Sequence, residues 1–327
     1  MHAIQVTEHG GPEVMQWIEL ETPAPIKAEV LVRLEAAGVN FIDVYFRTGA
    51  YPAELPAIPG LEGAGVVEAV GPDVTALRVG DRVAWSDRVG ASRGGTYATH
   101  VIVPEARAVL VPPEVELPVA AAAMLQGMTA HYLSHTTFPL GPSHTCLIHA
   151  AAGGVGLLLC QMAKKRGARV IGTVSTAEKA ALAQKAGADE IIRYTEQDFA
   201  PEAKRLTGGR GVDVVYDSVG KTTFEKSLDA LAPRGMLVLF GQSSGRVGPF
   251  DPQVLNGKGS LFLTRPSLYH YVRTRHELTA RAVDVLSWVK RGELDVRIGA
   301  TFPLARAADA HRALEGRTTT GKVVLVP

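Results

Sequence analysis

The sequence predicts an α/β protein in which a doubly wound, six-stranded parallel sheet is inserted into a β-rich domain that is discontinuous along the chain. Three observations predict it. The first third is rich in Gly and Pro and sets short apolar runs between turn signals; the middle alternates apolar strands with helical stretches; the end returns to a helix and a single strand. With 327 residues, 46% of them hydrophobic, the chain can bury two sizeable cores.

In the first third, "EVLVRLEAAGV" (29–39), "GAGVVEAVG" (63–71), "GDRVAW" (80–85) and "YATHVIV" (97–103) read as short strands of a barrel-like unit. From about residue 123 the rhythm becomes that of successive βαβ units. Strands are expected at "TCLIHA" (145–150), "ARVIGTV" (168–174), "EIIRY" (190–194), "VDVVYD" (212–217), "GMLVLFG" (235–241) and "SLFLT" (260–264). The helices between them are 155–167, 177–187, roughly 198–207 and 223–235, several closed by glycine. A further helix, 274–292, follows the sheet, and "FPLARAADAHRALEGRTTTGKVVLVP" adds a helix and a final strand, which the first domain can recruit as its missing edge. The expected domains are therefore 1–122 with 268–327, and 123–267.

Composition excludes several roles. Formal net charge is +1, and no basic stripe interleaves with aromatics, which argues against a dedicated nucleic-acid binder. No apolar run approaches a bilayer span, and "MHAIQVTEHG" lacks the pattern of a secretory leader, so the expected location is the cytoplasm. Cys146 and Cys160 lie in apolar surroundings with no clustered His or Asp, which reads as two buried thiols in a reducing compartment.

The octapeptide "HAAAGGVG" (149–156) sits after an apolar strand and opens a helix in the first βαβ unit, where a dinucleotide fingerprint must sit. Gly153 would let the backbone approach a pyrophosphate, Gly156 would allow close helix-to-strand packing, and the helix N-terminus would supply N–H groups. Ala151 occupies the first-glycine slot and costs little at negative φ. An NAD site places an acid about 20 residues on to grip the ribose hydroxyls. Here the place is taken by Ser175, with Thr176 and Lys179 able to donate to a 2′-phosphate and Tyr194 able to close the pocket, so NADPH is expected over NADH.

Across essentially its whole length the sequence resembles the zinc-free medium-chain dehydrogenases/reductases, specifically the NADPH:quinone oxidoreductases that include zeta-crystallin. The resemblance rests on "EHGGPEVMQ" (8–16), "AAGVNFIDVYFRTGAYP" (36–52), "HAAAGGVGLLLCQMAK" (149–164) and "VVYDSVG" (214–220). In that family Ala150, Gly153 and Gly156 fall in an A-x-x-G-x-x-G form of the fingerprint. The resemblance implies a Rossmann domain inserted in a catalytic GroES-like domain. Zinc-dependent relatives have a cysteine where this chain has "VNFID", a Gly-His-Glu where it has Gly60, Leu61 and Glu62, and a four-cysteine lobe where it has "SDRVGASRGGTY"; no metal site is expected.

The resemblance also implies contacts by position. Asn40, Phe41, Ile42 and Asp43 would lie by the nicotinamide with Tyr132. Gly153 and Gly154 would hold the pyrophosphate, and Ser175, Thr176, Lys179 and Tyr194 the adenosine phosphate. Ser218, the turn Phe240, Gly241, Gln242 and Ser243, then Arg265 and Arg317 complete the set. Reducing equivalents would pass from NADPH to a quinone, with Tyr45 and Tyr51 either bonding a carbonyl oxygen or packing a cleft wall. Asn40 and Asp43 are equally suited to cap the helix that starts in "NFIDVYFRTG". His149 reads as a satisfied core histidine, and Arg47 and Arg265 as surface residues or substrate-edge cations. The rival function on the same fold is an enoyl or alkenal reductase; a different class, RNA-binding or structural use, is disfavoured by the charge. An exposed sixth strand, "GSLFLTRPSL" (259–268), points to a homodimer.

Overall fold

The computed structural model describes residues 1–86 and 94–327, so "SDRVGASRGGTY" lies largely outside the described residues. It divides into two compact units, Met1–Met128 with Val272–Pro327, and Thr129–Tyr271. The chain runs through β1 (His2–Val6), β2 (Met15–Glu19), β3 (Glu29–Val39), α1 (Phe41–Arg47), β4 (Glu62–Val70), β5 (Arg82–Ser86), β6 (His100–Pro104), β7 (Val109–Leu110) and α2 (Leu117–Tyr132). It continues through β8 (Thr145–Ile148), α3 (Gly154–Lys165), β9 (Arg169–Val174), α4 (Ala177–Lys185), β10 (Glu190–Arg193), α5 (Phe199–Leu206), β11 (Val212–Asp217), α6 (Phe224–Asp229) and β12 (Leu231–Leu239). It ends through α7 (Gln253–Gly257), β13 (Phe262–Thr264), α8 (Leu268–Tyr271), α9 (Arg275–Lys290), β14 (Ile298–Pro303), α10 (Ala307–Glu315) and β15 (Lys322–Val326).

The second unit is a six-stranded sheet in the order β10-β9-β8-β11-β12-β13, every pairing parallel. Its strands are near-continuous apolar runs because helices cover both faces; Leu147, Ile171, Val215 and Leu237 are fully buried. The strand order reverses between β8 and β11, so the carboxyl ends of those strands flank a crevice. The expected helix 223–235 ends instead at Asp229, and β12 already pairs with β11 at Leu231. Pro233 has no N–H to continue a helix, and Arg234 at φ +62° bends the strand where the register shifts.

The first unit holds a seven-stranded sheet in the order β14-β15-β3-β4-β5-β7, with β6 on β3, and a separate β1-β2 pair. The terminal strand β15 lies inside this sheet, antiparallel to β3; the edge is β14, parallel to β15 and joined to it through α10. Sequence reading omitted β14 because "IGATFP" has no apolar run. Only its alternate residues are half-buried. The core of this unit is built on Val32, Leu34, Trp85, Tyr97 and Leu325.

Candidate active site

Along the carboxyl ends of the parallel strands, short turns converge. Ala150 takes a left-handed φ of +50°, which makes the tight turn one residue before the slot of a first glycine, and Ala151 has no positive φ. Gly153 then caps α3 with no side-chain hydrogen bond, which leaves the first-turn N–H groups open to an acceptor from outside the helix. A Cβ on Gly156 would stand 2.3 Å from the Ala150 carbonyl oxygen and 2.8 Å from the Ala151 backbone, so only glycine lets α3 pack this close. An open helix N-terminus of this kind suits an anionic group.

At the end of β9, Ser175 is half-buried and Thr176 caps α4 by accepting the Lys179 N–H at 3.3 Å. Thr195 donates to the Ser175 carbonyl at 2.9 Å, and Tyr194 is 44% exposed beside them. No carboxylate occupies the Ser175 position. The turns after β11 and β12 interlace: the Asp217 carbonyl accepts from the N–H groups of Phe240 (2.8 Å) and Gly241 (3.2 Å), and the Ser243 N–H donates to the Ser218 carbonyl at 3.2 Å. A Cβ on Gly241 would fall 2.5 Å from that Ser218 carbonyl. Gln242 continues this turn, and Arg265 follows β13 directly. Tyr132, in the same unit, is buried in a parallel stack on Tyr271 with ring centroids 4.2 Å apart. The structure thus gathers Gly153, Gly154, Ser175, Thr176, Lys179, Tyr194, Ser218, Phe240 to Ser243 and Arg265 at strand ends of one sheet, with Tyr132 in the stack.

In the first unit, Asn40 and Asp43 do cap α1. They form a reciprocal capping box, with the Asn40 N–H donating to Asp43 Oδ2 at 2.8 Å. The Asn40 side chain is also fully occupied. Its Nδ2 donates to Glu62 Oε1 (2.7 Å) and the Gly38 carbonyl (3.4 Å), and its Oδ1 accepts from Lys322 Nζ (2.7 Å) and Gln126 Nε2 (3.1 Å). Any ligand that bonds this amide must displace one of those partners. Phe41 and Ile42 open α1, Tyr45 and Tyr51 meet edge-on with centroids 5.1 Å apart, and Arg317 follows α10 at φ +56°.

Sequence reasoning missed the charged core around this helix. Glu62 and Lys322 form a fully buried ion pair, and Glu62 Oε2 also accepts the Leu125 N–H at 2.6 Å. A Cβ on Gly38 would come within 2.3 Å of Glu62 Oε1, so the pair requires glycine there. Burial pushes the Lys322 ammonium below its ordinary range, and Glu62 opposes that shift. Arg47 is not a surface cation: it is 3% exposed, pairs with Glu315 at 2.9 Å, and donates from Nη1 to His311 Nδ1 at 2.9 Å. Since Arg47 can only donate, His311 carries its proton on Nε2, which faces the Tyr97 hydroxyl at 3.0 Å; Tyr97 donates in turn to Asp43 Oδ2 at 3.1 Å. Every donor in the chain points toward Asp43.

Burial raises the Asp43 carboxyl to about 7, against the lowering influence of the Asn40 N–H, Lys322 and Tyr97, and its Oδ1 has no hydrogen-bond partner among the described residues. Burial, with Arg47 beside it, lowers the His311 imidazole to about 3. No long-range pairing of this kind leaves a periodic trace; the signals available in the sequence were a lysine in an apolar strand and a histidine on the apolar face of α10.

The sequence model of zinc-binding dehydrogenases matches residues 154–288, and that of the alcohol dehydrogenase GroES-like domain matches residues 26–113. A quinone oxidoreductase of Pseudomonas aeruginosa is 46% identical over 325 residues, 99% of each chain. The chain belongs to the quinone oxidoreductase family of the medium-chain dehydrogenases/reductases. The solved structure of the family's Escherichia coli quinone oxidoreductase, complexed with NADPH, superposes with a TM-score of 0.97 at 44% identity, covering 100% of both chains. A 2-haloacrylate reductase of a Burkholderia species is 43% identical over 332 residues, 99% of this chain and 98% of that one. As in other members of the quinone oxidoreductase family, the fold pairs a parallel six-stranded sheet with a GroES-like domain. Among the described residues, no three His, Cys, Asp or Glu side chains cluster as metal ligands, and no helix is long and apolar enough to cross a membrane.

Proposed function

We propose that this chain is an NADPH-dependent quinone reductase that uses no protein-bound metal. The observation that carries the reading is its full-length likeness to a quinone oxidoreductase solved with NADPH, supported by the open N-terminus of α3 and the acid-free turn at the strand ends. The residues fit the dinucleotide. Its pyrophosphate meets Gly153 and Gly154, where the helix N-terminus offers N–H groups and no side chain fills the cradle. Its 2′-phosphate meets the hydroxyls of Ser175 and Thr176 and the Lys179 ammonium, with Tyr194 at the rim. Ser218, Phe240, Gly241, Gln242, Ser243 and Arg265 belong to the same set. Family likeness extends the proposal to Asn40, Phe41, Ile42, Asp43, Tyr132 and Arg317.

NADPH, when bound, supplies the reducing equivalents. The protein's part is to orient the acceptor, exclude water and stabilise charge that develops on the acceptor oxygen. The reading gives that task to the phenols of Tyr45, on α1, and Tyr51, just beyond it, whose rings meet edge-on. A reducing cytosol suits Cys146 and Cys160, which are free and buried; burial raises both thiols, Cys160 to about 12, and keeps them inert. We also propose a homodimer through β13, the sheet edge that exposes Phe262; a single-chain mass by light scattering would refute it.

The test is an acceptor panel. Benzoquinones and naphthoquinones should be reduced with NADPH and far more weakly with NADH, and Lys179→Ala should narrow the preference by roughly tenfold through loss of a charge-assisted contact. Equal affinity of the parent for both nucleotides would sink the 2′-phosphate assignment. A second reading, reduction of conjugated alkenals or alkenoic acids, is favoured by the likeness to 2-haloacrylate reductase; negligible turnover of quinones beside brisk turnover of 2-alkenals would put it first.

A further inference from the structure

Behind the glycine loop lies a buried polar chain that the reaction does not use directly. His149, immediately before the Ala150 turn, is 2% exposed and bonded at both ring nitrogens: Nδ1 lies 2.9 Å from Thr173 Oγ1 and Nε2 lies 3.0 Å from Ser227 Oγ. Ser227 donates its proton to Asp217 Oδ2 at 2.9 Å, so its oxygen accepts from His149 Nε2–H. Nδ1 is then the acceptor and takes the Thr173 hydroxyl proton. Burial holds this imidazole below its ordinary range, which keeps it neutral and leaves it one donor and one acceptor.

Each end of the chain is the base of a turn in the dinucleotide site. Thr173 stands two residues before Ser175, and its carbonyl accepts the Ala151 N–H at 3.1 Å. Asp217 precedes Ser218. Its Oδ1 accepts from the N–H groups of Val219 (2.8 Å) and Gly220 (3.0 Å), Thr223 adds a bond to Oδ2 at 2.7 Å, and its carbonyl carries Phe240 and Gly241. The His149 N–H also bonds the Tyr216 carbonyl at 3.1 Å, across the point where strand order reverses. Apolar packing would fill this space without the desolvation cost of an imidazole and a carboxylate. A buried polar network repays that cost as rigidity only when its members are satisfied, and here both ring nitrogens and both Asp217 oxygens are.

We propose that His149 is a positioning residue: the chain Thr173, His149, Ser227, Asp217 locks the ends of β9, β8 and β11, and through Asp217 the turn after β12, into one preorganised dinucleotide groove. The inference rests on the NADPH reading above. The arm to Thr173 sets the turn that faces the 2′-phosphate, and the arm to Asp217 sets the turns at Ser218 and Gly241. The two arms therefore have different signatures.

NADPH and NADH are titrated against intrinsic fluorescence for the parent, His149→Leu, His149→Gln and Thr173→Val, with melting temperatures recorded beside the dissociation constants. His149→Leu is expected to weaken NADPH binding about tenfold, as loss of the chain implies. His149→Gln restores a donor toward Ser227 and should recover most of that loss. Thr173→Val cuts only one arm and should lower the preference for NADPH over NADH by roughly threefold while NADH binding holds. Lowered melting temperatures with unchanged dissociation constants and an unchanged nucleotide preference would reduce the chain to a structural role and overturn the proposal. If His149→Leu does not fold, the Thr173→Val preference decides alone. A parent that binds neither nucleotide would instead overturn the NADPH reading, so the two failures are distinguishable.

Discussion

Lys322→Met is expected to lower stability by about 3–5 kcal/mol, read as a fall in urea midpoint at unchanged slope. Lys322 sits 1% exposed in β15, and its stem can be replaced by Met at similar volume, so packing is not the main loss. The loss is the counter-charge. Glu62 would stay at 0% exposure with only the Asn40 amide and the Leu125 N–H as donors, and a buried carboxylate without its cation is expensive. The double change Glu62→Gln with Lys322→Met removes both charges and should recover much of the loss, because replacing a buried pair costs far less than breaking it. Additive losses in that double mutant would show that the two side chains do not act as a pair.

The second large effect is a pH profile that the parent conceals. The Asp43 carboxyl is raised from 3.8 to about 7, so the folded state holds its proton more tightly than the unfolded chain. Its contribution to stability is complete below pH 3.8 and is lost as pH rises through 7, in all roughly 4 kcal/mol. His311 is lowered from 6.5 to about 3, so its contribution is present above pH 6.5 and is lost as pH falls through 3, in all roughly 5 kcal/mol. Between about pH 4 and 6.5 the two slopes oppose and nearly cancel. Relative to the parent, Asp43→Asn should become more stable with rising pH across that window, by roughly 1.4 kcal/mol per pH unit, and His311→Gln should become less stable at a similar slope. Both variants tracking the parent at a constant offset from pH 4 to 8 would refute the assignment. Denaturant unfolding at each pH reads the effect directly.

The two networks differ in how far they were legible in advance. His149 is readable as a satisfied core histidine because it ends an apolar strand; Thr173, its direct partner, and Asp217, reached through Ser227, lie at the ends of the two strands that flank β8, and the strand order joins them. The capping box of Asn40 and Asp43 was readable because capping acts over three residues. Arg47 reads as a surface or substrate-edge cation because an arginine in a short helix carries no mark of burial, yet it is 3% exposed. Its partner His311 is 264 residues away, and nothing in either neighbourhood states the pairing.

What local chemistry controls is legible along the chain: the alternation that makes a parallel sheet, the glycines at 153 and 156 that open α3, and the missing acid at Ser175. These follow from backbone geometry and side-chain type within a turn or a strand. The pairing of the charges is a property of the folded chain. Lys322 meets Glu62 across 260 residues because β15 enters the sheet beside β3, not at its edge, and burial then makes each charge depend on the other. Periodicity encodes which face of an element is buried, whereas the partner of a buried charge is set by strand order, a property of the assembled sheet.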